Sequence, residues 1–295
     1  MKTRLSAVVA TACVLACGLS AAAQVEVGLN LGTSGYRGDI QPTGYLDNIS
    51  ILGASYGGFL RFGVSDRFAA RAYVQKSHVA GDDALRTGAE SRNLSFRTDV
   101  FEVGAMADVF VLGRDRAIAP YISAGASVYT FNPETEYNGQ WVELQPLGTE
   151  GQGLPGFAPK YELTRLAVPL ALGVTYALGD SWLIGAEASA RMLFFDHFDD
   201  VSGKYVNFYD LLDGGEIPGA TGNGLLAATL ADRTNELRNL PPRDIPTGSQ
   251  NRGNPSANDW YYTATITVSY RIGSGLFNSG GTNRNSSRYN RCYQF

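Results

Sequence analysis

The stretch that most constrains the fold is WLIGAEASARMLFF, residues 182–195. Trp182, Ile184, Ala186, Ala188, Ala190 and Met192 are all apolar. The residues between them include Gly185, Glu187, Ser189 and Arg191. Apolar residues at every second position mark a β-strand with unlike faces. The run is longer than the usual globular strand of about 5–6 residues. It reaches the 9–11 or so that a tilted strand needs to cross a bilayer.

The same period recurs at 25–32, 52–62, 68–79, 100–112, 119–131, 163–178 and 260–272, giving eight strands with the opening one. Val25, Val27, Leu29 and Leu31 oppose Glu26, Gly28 and Asn30. Tyr262, Ala264, Ile266 and Val268 oppose Thr263, Thr265, Thr267 and Ser269. Pro169 lacks a ladder donor, so a bulge is expected there. The 35 glycines and 16 tyrosines, with no long apolar run, point the same way.

Links alternate in length. Residues 63–67, 113–118 and 179–181 are short; 33–51, 80–99, 132–162 and 196–259 are long. All short turns therefore lie at one end and all long loops at the other. An even strand number, short turns and long loops describe an all-β, eight-stranded antiparallel transmembrane β-barrel of the bacterial outer membrane, its turns and both termini periplasmic and its loops extracellular. A soluble, lipocalin-like barrel would turn the apolar face inward. Against it, the apolar faces as read carry no charge, and Phe68, Phe101, Tyr176, Trp182, Trp260, Tyr262 and Tyr270 cluster near strand ends like an interfacial belt.

Residues 1–23 read as a signal peptide: Lys2 and Arg4, an apolar run, then Ala21-Ala22-Ala23 before Gln24. A lipoprotein signal is the rival, with Val14-Leu15-Ala16 ahead of Cys17. The organisation expected is signal 1–23, barrel 24–272 and a Gly/Ser/Asn-rich tail 273–295. Losing Lys2 and Arg4 leaves a chain two charges more negative than the −4 of the whole, which disfavours nucleic acid as a partner. With Cys13 and Cys17 removed only Cys292 remains, so neither an internal disulfide nor a cysteine metal site can form.

Eight strands leave a lumen just wide enough for side chains. The inward face carries Glu26, Glu102, Asp108 and Glu187 with Arg61, Arg71, Arg165 and Arg191. Buried charges need partners, so these eight are read as an ion-pair network that plugs the lumen. An ion-selective pore would want a wider barrel or a ring of one sign. His78 and His197 are the only histidines. His197 lies in an acidic run, Asp196 to Asp200, that reads as a solvated loop start; it lacks the ligand spacing of a calcium loop. No catalytic residue, cofactor or metal site is expected. Residues 225–237 fit one short amphipathic helix.

The loop 132–162 is different. Trp141, Pro146 and its glycines limit or shape its path, while no Lys-Ser/Thr follows to make a phosphate cradle. It is either an ordered cap or a docking surface; Trp141, Glu143, Gln145, Glu150 and Gln152 are its candidate contact residues.

Several segments resemble the PorG-like barrel family of Bacteroidetes: Arg92-Asn93-Leu94-Ser95-Phe96-Arg97-Thr98-Asp99, Pro120-Tyr121 with Phe131-Asn132-Pro133, residues 141–154, Asp200-Val201-Ser202, Arg252-Gly253-Asn254 and Asn258-Asp259-Trp260-Tyr261. The resemblance implies an outer-membrane component of the type IX secretion system. Such a subunit contacts outer-membrane lipid and, on its periplasmic side, ring proteins: a lipoprotein and its partner. It implies no catalysis. A small structural or adhesion barrel is the alternative, and an outer-membrane enzyme the third reading, disfavoured by the shortage of histidine.

Overall fold

A computed structural model describes residues 24–214 and 224–272. Residues 1–23 and 273–295, read above as a signal peptide and a tail, lie outside the described residues, and Cys292 with them. Among the described residues ten strands form: β1 (Val25–Arg37), β2 (Gly53–Gly63), β3 (Phe68–Asp82), β4 (Ser95–Phe110), β5 (Ile118–Thr130), β6 (Glu134–Tyr137), β7 (Gln140–Glu143), β8 (Thr164–Leu178), β9 (Trp182–Leu193) and β10 (Trp260–Ile272). Eight pair antiparallel in a ring, β1-β2-β3-β4-β5-β8-β9-β10, and β10 returns to β1 from Val25↔Ile272 to Arg37↔Trp260. The barrel is closed, so its backbone donors and acceptors are satisfied without a free edge. The remaining strands, β6 and β7, make a hairpin outside the ring that joins β4 through Arg97↔Glu134.

Each strand buries alternate residues. In β10 Tyr261, Thr263, Thr265, Thr267 and Ser269 point inward, while Ile266 and Val268 face out. The outer wall is apolar: Leu29, Leu31, Leu166, Leu172 and Ile266 are each about two-thirds exposed. A soluble barrel would leave that surface in water, whereas a membrane strand needs it there. Exposed aromatics rim the turn end (Phe68, Tyr176, Trp182, Tyr270) and the loop end (Tyr56, Phe101, Phe194). Trp182 meets Tyr270 edge to face with ring centroids 5.1 Å apart.

Two expectations need correction. The wall is not free of charge: Lys76 projects outward from β3 and pairs with Asp99 of β4 at 3.0 Å, beside His78 at 2.8 Å from the same carboxylate. Lys76 stands directly between Tyr56 and Phe101, so this charge lies in the loop-end aromatic rim itself. Pro169 makes no bulge. The β5–β8 ladder keeps one register from Ala124↔Leu170 to Ser127↔Ala167, and Pro169 pairs with Arg191 on its other side. The missing donor interrupts the ladder without inserting a residue.

Three short turns, 64–67, 111–117 and 179–181, lie at one end; Gly179 takes the left-handed φ of +75° that the last requires. The long connections 38–52, 83–94, 131–163 and 194–259 leave the other end. They carry α1 (Tyr45–Ser50), α2 (Phe208–Gly214) and α3 (Gly224–Ala231). The helix α3 falls in the expected segment but is apolar nearly all round, and it buries Ala227, Ala228, Leu230 and Ala231 in the loops.

If the wall faces hydrocarbon, a guanidinium at its middle is costly. Leu172→Arg is expected to lower stability by about 2–4 kcal/mol in lipid-refolded protein, measured by reversible urea unfolding. Tyr45→Arg, on the loop side, is expected to change it by no more than about 0.5 kcal/mol.

Candidate functional site

Two layers fill the barrel axis. The layer nearer the turns is ionic. The Arg61 guanidinium donates to Glu26 Oε1 at 2.8 Å and to Asp108 Oδ2 at 2.6 Å. Arg71 reaches Asp108 Oδ1 at 3.2 Å and Glu187 Oε2 at 2.5 Å. Hydroxyls take up the remaining acceptor capacity: Ser123 donates to Asp108, Tyr121 to Glu187 and Ser269 to Glu26. The flat Arg61 guanidinium also lies within 5.0 Å of the Phe59 and Tyr121 ring centroids. Higher up, Glu102 accepts from Tyr73, Tyr261 and Arg191 at 2.7, 2.8 and 3.0 Å. Arg191 donates further to Ser189 and Thr263.

Seven of the eight residues read as a lumen network therefore meet in ion pairs. Arg165 does not. It sits on β8 opposite Tyr129, near the loop end, where Glu102, on the far side of Tyr129, is already taken by Arg191. Its guanidinium lies 4.2 Å from the Phe195 ring centroid and donates to the Glu162 carbonyl. In the lower layer three carboxylates face two arginines. A residue that periodicity could not reach adds a third positive charge there. Arg114, in the turn 111–117, is buried at the turn-side mouth. A Cβ on Gly63 would meet its Nη1 at 1.1 Å, so a larger residue there would push that guanidinium aside.

The layer nearer the loops is a cap. Phe198, wholly buried, inserts into the barrel mouth and stacks on Tyr261 (5.7 Å between centroids) and Phe131 (5.3 Å), with Tyr36, Phe96 and Tyr129 around it. Around this plug the loops are bolted by charged groups. Arg92 makes a bidentate pair with Asp83 at 2.6 and 2.7 Å and donates to the backbone carbonyls of Asp39 and Arg252. Arg252 binds Glu150 and the Asp200 carbonyl, and closes the end of α3 at the Ala231 carbonyl. Glu150 accepts the Ser202 and Gly203 amides at 3.0 and 2.9 Å. Asp200 accepts Tyr161 Oη and Thr149 Oγ1.

The acidic run 196–200 is thus not a solvated loop start: Asp199 and Asp200 are wholly buried, and Asp196 nearly so. The candidate contact loop is also redistributed. Glu150 and Gln152 turn inward, Gln152 Oε1 accepting the Glu150 amide, and Gln145 holds the Tyr161 carbonyl. Of the five contact residues, Trp141 and Glu143 are exposed, and the Trp141 ring stacks on the Arg97 guanidinium at 3.3 Å. Loop sequence has no period to show which way a side chain turns. The one legible signal was composition, for an acid run interleaved with Phe195 and Phe198 is too apolar for open solvent.

Burial pushes the Asp200 carboxyl up, and Asp196 to about 6. It also pushes Glu150 up, but the His197 hydrogen bond, the Arg252 charge and the Ser202 amide outweigh it and hold that carboxyl at about 2. Burial lowers His197, and Glu150 more than reverses this. Among the described residues no group of three or more His, Cys, Asp or Glu is arranged to hold a metal ion.

Removing one partner of a buried pair strands the other. Arg61→Met is expected to cost about 3–5 kcal/mol by urea unfolding. Glu150 has a depressed pKa, so its contribution is whole above about 4.5 and is lost as pH falls toward 2. Exchange protection of the Ser202 and Gly203 amides should fall over that window, and Glu150→Gln should remove the step.

The barrel can be set beside known proteins. Among solved structures it is similar to Ail, the attachment invasion locus protein of Yersinia pestis (8% identity, 85% of this chain and 99% of that one, TM-score 0.40). It is similar also to Neisserial surface protein A (10%, 84% and 97%, 0.40) and to the outer membrane protein OprG of Pseudomonas aeruginosa (10%, 85% and 97%, 0.40). No curated protein matches the chain. A family model described as a domain of unknown function, DUF6089, matches residues 5–218. That is more than half of the sequence, and the chain belongs to the DUF6089 family.

Proposed function

We propose that this protein is a non-enzymatic outer-membrane barrel that serves the type IX secretion system, anchoring or linking its periplasmic ring complex to the membrane. The observation that supports this most is where the resembling segments lie. Arg92, Glu150, Asp200 to Ser202, Arg252 and Asp259 are far apart in the chain, yet they bolt together one cap over the barrel mouth. Such segments are tied by contact with one another, so a likeness that spans them is a likeness of the whole cap. The lumen beneath supports a scaffold rather than a channel, because paired charges of both signs fill it.

In this reading the apolar wall meets outer-membrane lipid. The three short turns and the strand ends at Val25 and Ile272, which share one end, face the periplasm and the ring proteins. The loops and the β6–β7 hairpin face outward. One observation favours the alternative of a small structural or adhesion barrel: what the cap leaves exposed includes Trp141 at the hairpin and Tyr45 and Leu46 on α1, which suits contact outside the cell.

A deletion strain separates the two. Loss of export of cargo bearing the C-terminal sorting domain, with recovery by the plasmid-borne gene, is the expected result. Normal export would leave the adhesion reading. An epitope inserted between Asn138 and Gly139 should be reached by antibody on intact cells. In planar bilayers the purified protein should show no steady conductance at neutral pH.

A further inference from the structure

A hydroxyl has one hydrogen and two lone pairs. The Tyr36 hydroxyl, buried at the loop end of β1, has three partners: the Asp39 amide at 2.9 Å, Asp199 Oδ2 at 2.6 Å and Asp259 Oδ1 at 2.7 Å. The Asp39 N–H takes one lone pair. The phenol hydrogen goes to one carboxylate. The other carboxylate oxygen then faces a lone pair at hydrogen-bond distance, which is repulsive unless that carboxyl carries a proton of its own. The far oxygens of both acids are also engaged, Asp199 Oδ1 by the Val201 amide and Asp259 Oδ2 by the Phe198 amide, each at 2.9 Å.

We infer that Asp199 and Asp259 hold one proton between them through Tyr36, and that this proton fastens the Phe198 plug in the barrel mouth. The connection is direct. Phe198 donates its own amide to Asp259 and precedes Asp199, so both anchors of the plug are the acids that share the proton. Once it leaves, two buried carboxylates face each other across a single phenol hydrogen, and the plug loses its footing.

The surroundings favour the protonated state. Asp39 in the loop 38–52 and Asp196 in the plug's own loop add negative charge, while Arg92 in the loop 83–94 opposes them. Tyr129 of β5 and Tyr161 of the loop 131–163 also face the pair. Arg252 is committed to Glu150 and Asp200. Burial pushes Asp199 up to about 7, and burial, with the Asp199 charge beside it, also raises Asp259 well above the usual carboxylate range. Raised carboxyls favour the folded cap while they keep the proton. The contribution is whole at acid pH, falls as pH climbs past the unfolded value of about 4, and is gone above the folded one. The cap therefore tightens on mild acidification and loosens above neutral. This device is independent of the secretion role, and the ion pairs below keep the lumen shut in either state.

The test is amide exchange at Phe198 and Val201 in the full mature chain in lipid nanodiscs, corrected for intrinsic rates, from pH 5 to pH 9. Protection is expected to fall at least about tenfold across that range. In Asp199→Asn the side-chain amide can donate to Tyr36 as the carboxylic acid does, so protection should stay high at both ends. Asp259→Asn should behave alike and serves if the first variant fails to fold. The double variant offers Tyr36 three donors for two lone pairs and should be less protected than either single one. His197→Gln should keep the wild-type step. A flat wild-type profile, a step surviving in both Asn variants, or a step lost in His197→Gln would overturn the proposal.

Discussion

Asp108 is wholly enclosed, and such a carboxylate is tolerated only if guanidinia and hydroxyls come to it. It receives Arg61, Arg71 and Ser123 from three other strands. These three come from strands on either side of β4, but the pairs that complete the network, Arg71 with Glu187 of β9 and Glu102 with Arg191 of β9, cross the axis. They are within reach because the sheet closes on itself with eight strands, the number at which facing side chains meet. The ion pairs and the closed ring are thus mutually required. The ring places the charges, and the charges fix the register of the strands that carry them. A slip of one residue would turn Arg61 and Arg71 outward into the apolar wall.

The cap obeys the same rule with different material. Loops cannot satisfy one another by ladders, so arginines do the joining. Arg92 gathers backbone carbonyls from two other loops, and Arg252 ties α3 to Glu150 and to the plug loop. Their planar fork suits several acceptors at once, which lysine would not. Buried aromatics fill the space that these bolts enclose. The result is an apolar core lying at the mouth of the barrel, with the polar interior below it, an inversion of the order found in soluble domains.

Much of this was legible in the sequence. Period two marked all eight barrel strands, and the alternation of short and long links gave the two ends of the cylinder. Parity also put the lumen charges on the inner face. Partners were not legible: Arg165 has the right parity but meets the Phe195 ring and the Glu162 carbonyl instead of a carboxylate, and Lys76 has the outward parity but pairs with Asp99 between Tyr56 and Phe101. Direction within the loops was hidden as well. Glu150, Gln152 and Asp199 turn inward because partners far away in the chain receive them, and no local pattern records that. Arg114 escaped because a turn residue belongs to neither face of a strand.

The central claim is that alternate residues of each strand touch hydrocarbon while their neighbours touch only the packed interior. Spin labels placed singly from residue 262 to residue 270 of β10, in the protein reconstituted into lipid, test it most directly. Collision rates with oxygen, which concentrates in the bilayer, should peak at 262, 264, 266, 268 and 270 and drop at the positions between, while a water-soluble relaxant should reach neither set. Equal access of the water-soluble relaxant to the outward set, or an oxygen profile without a period of two, would contradict the account.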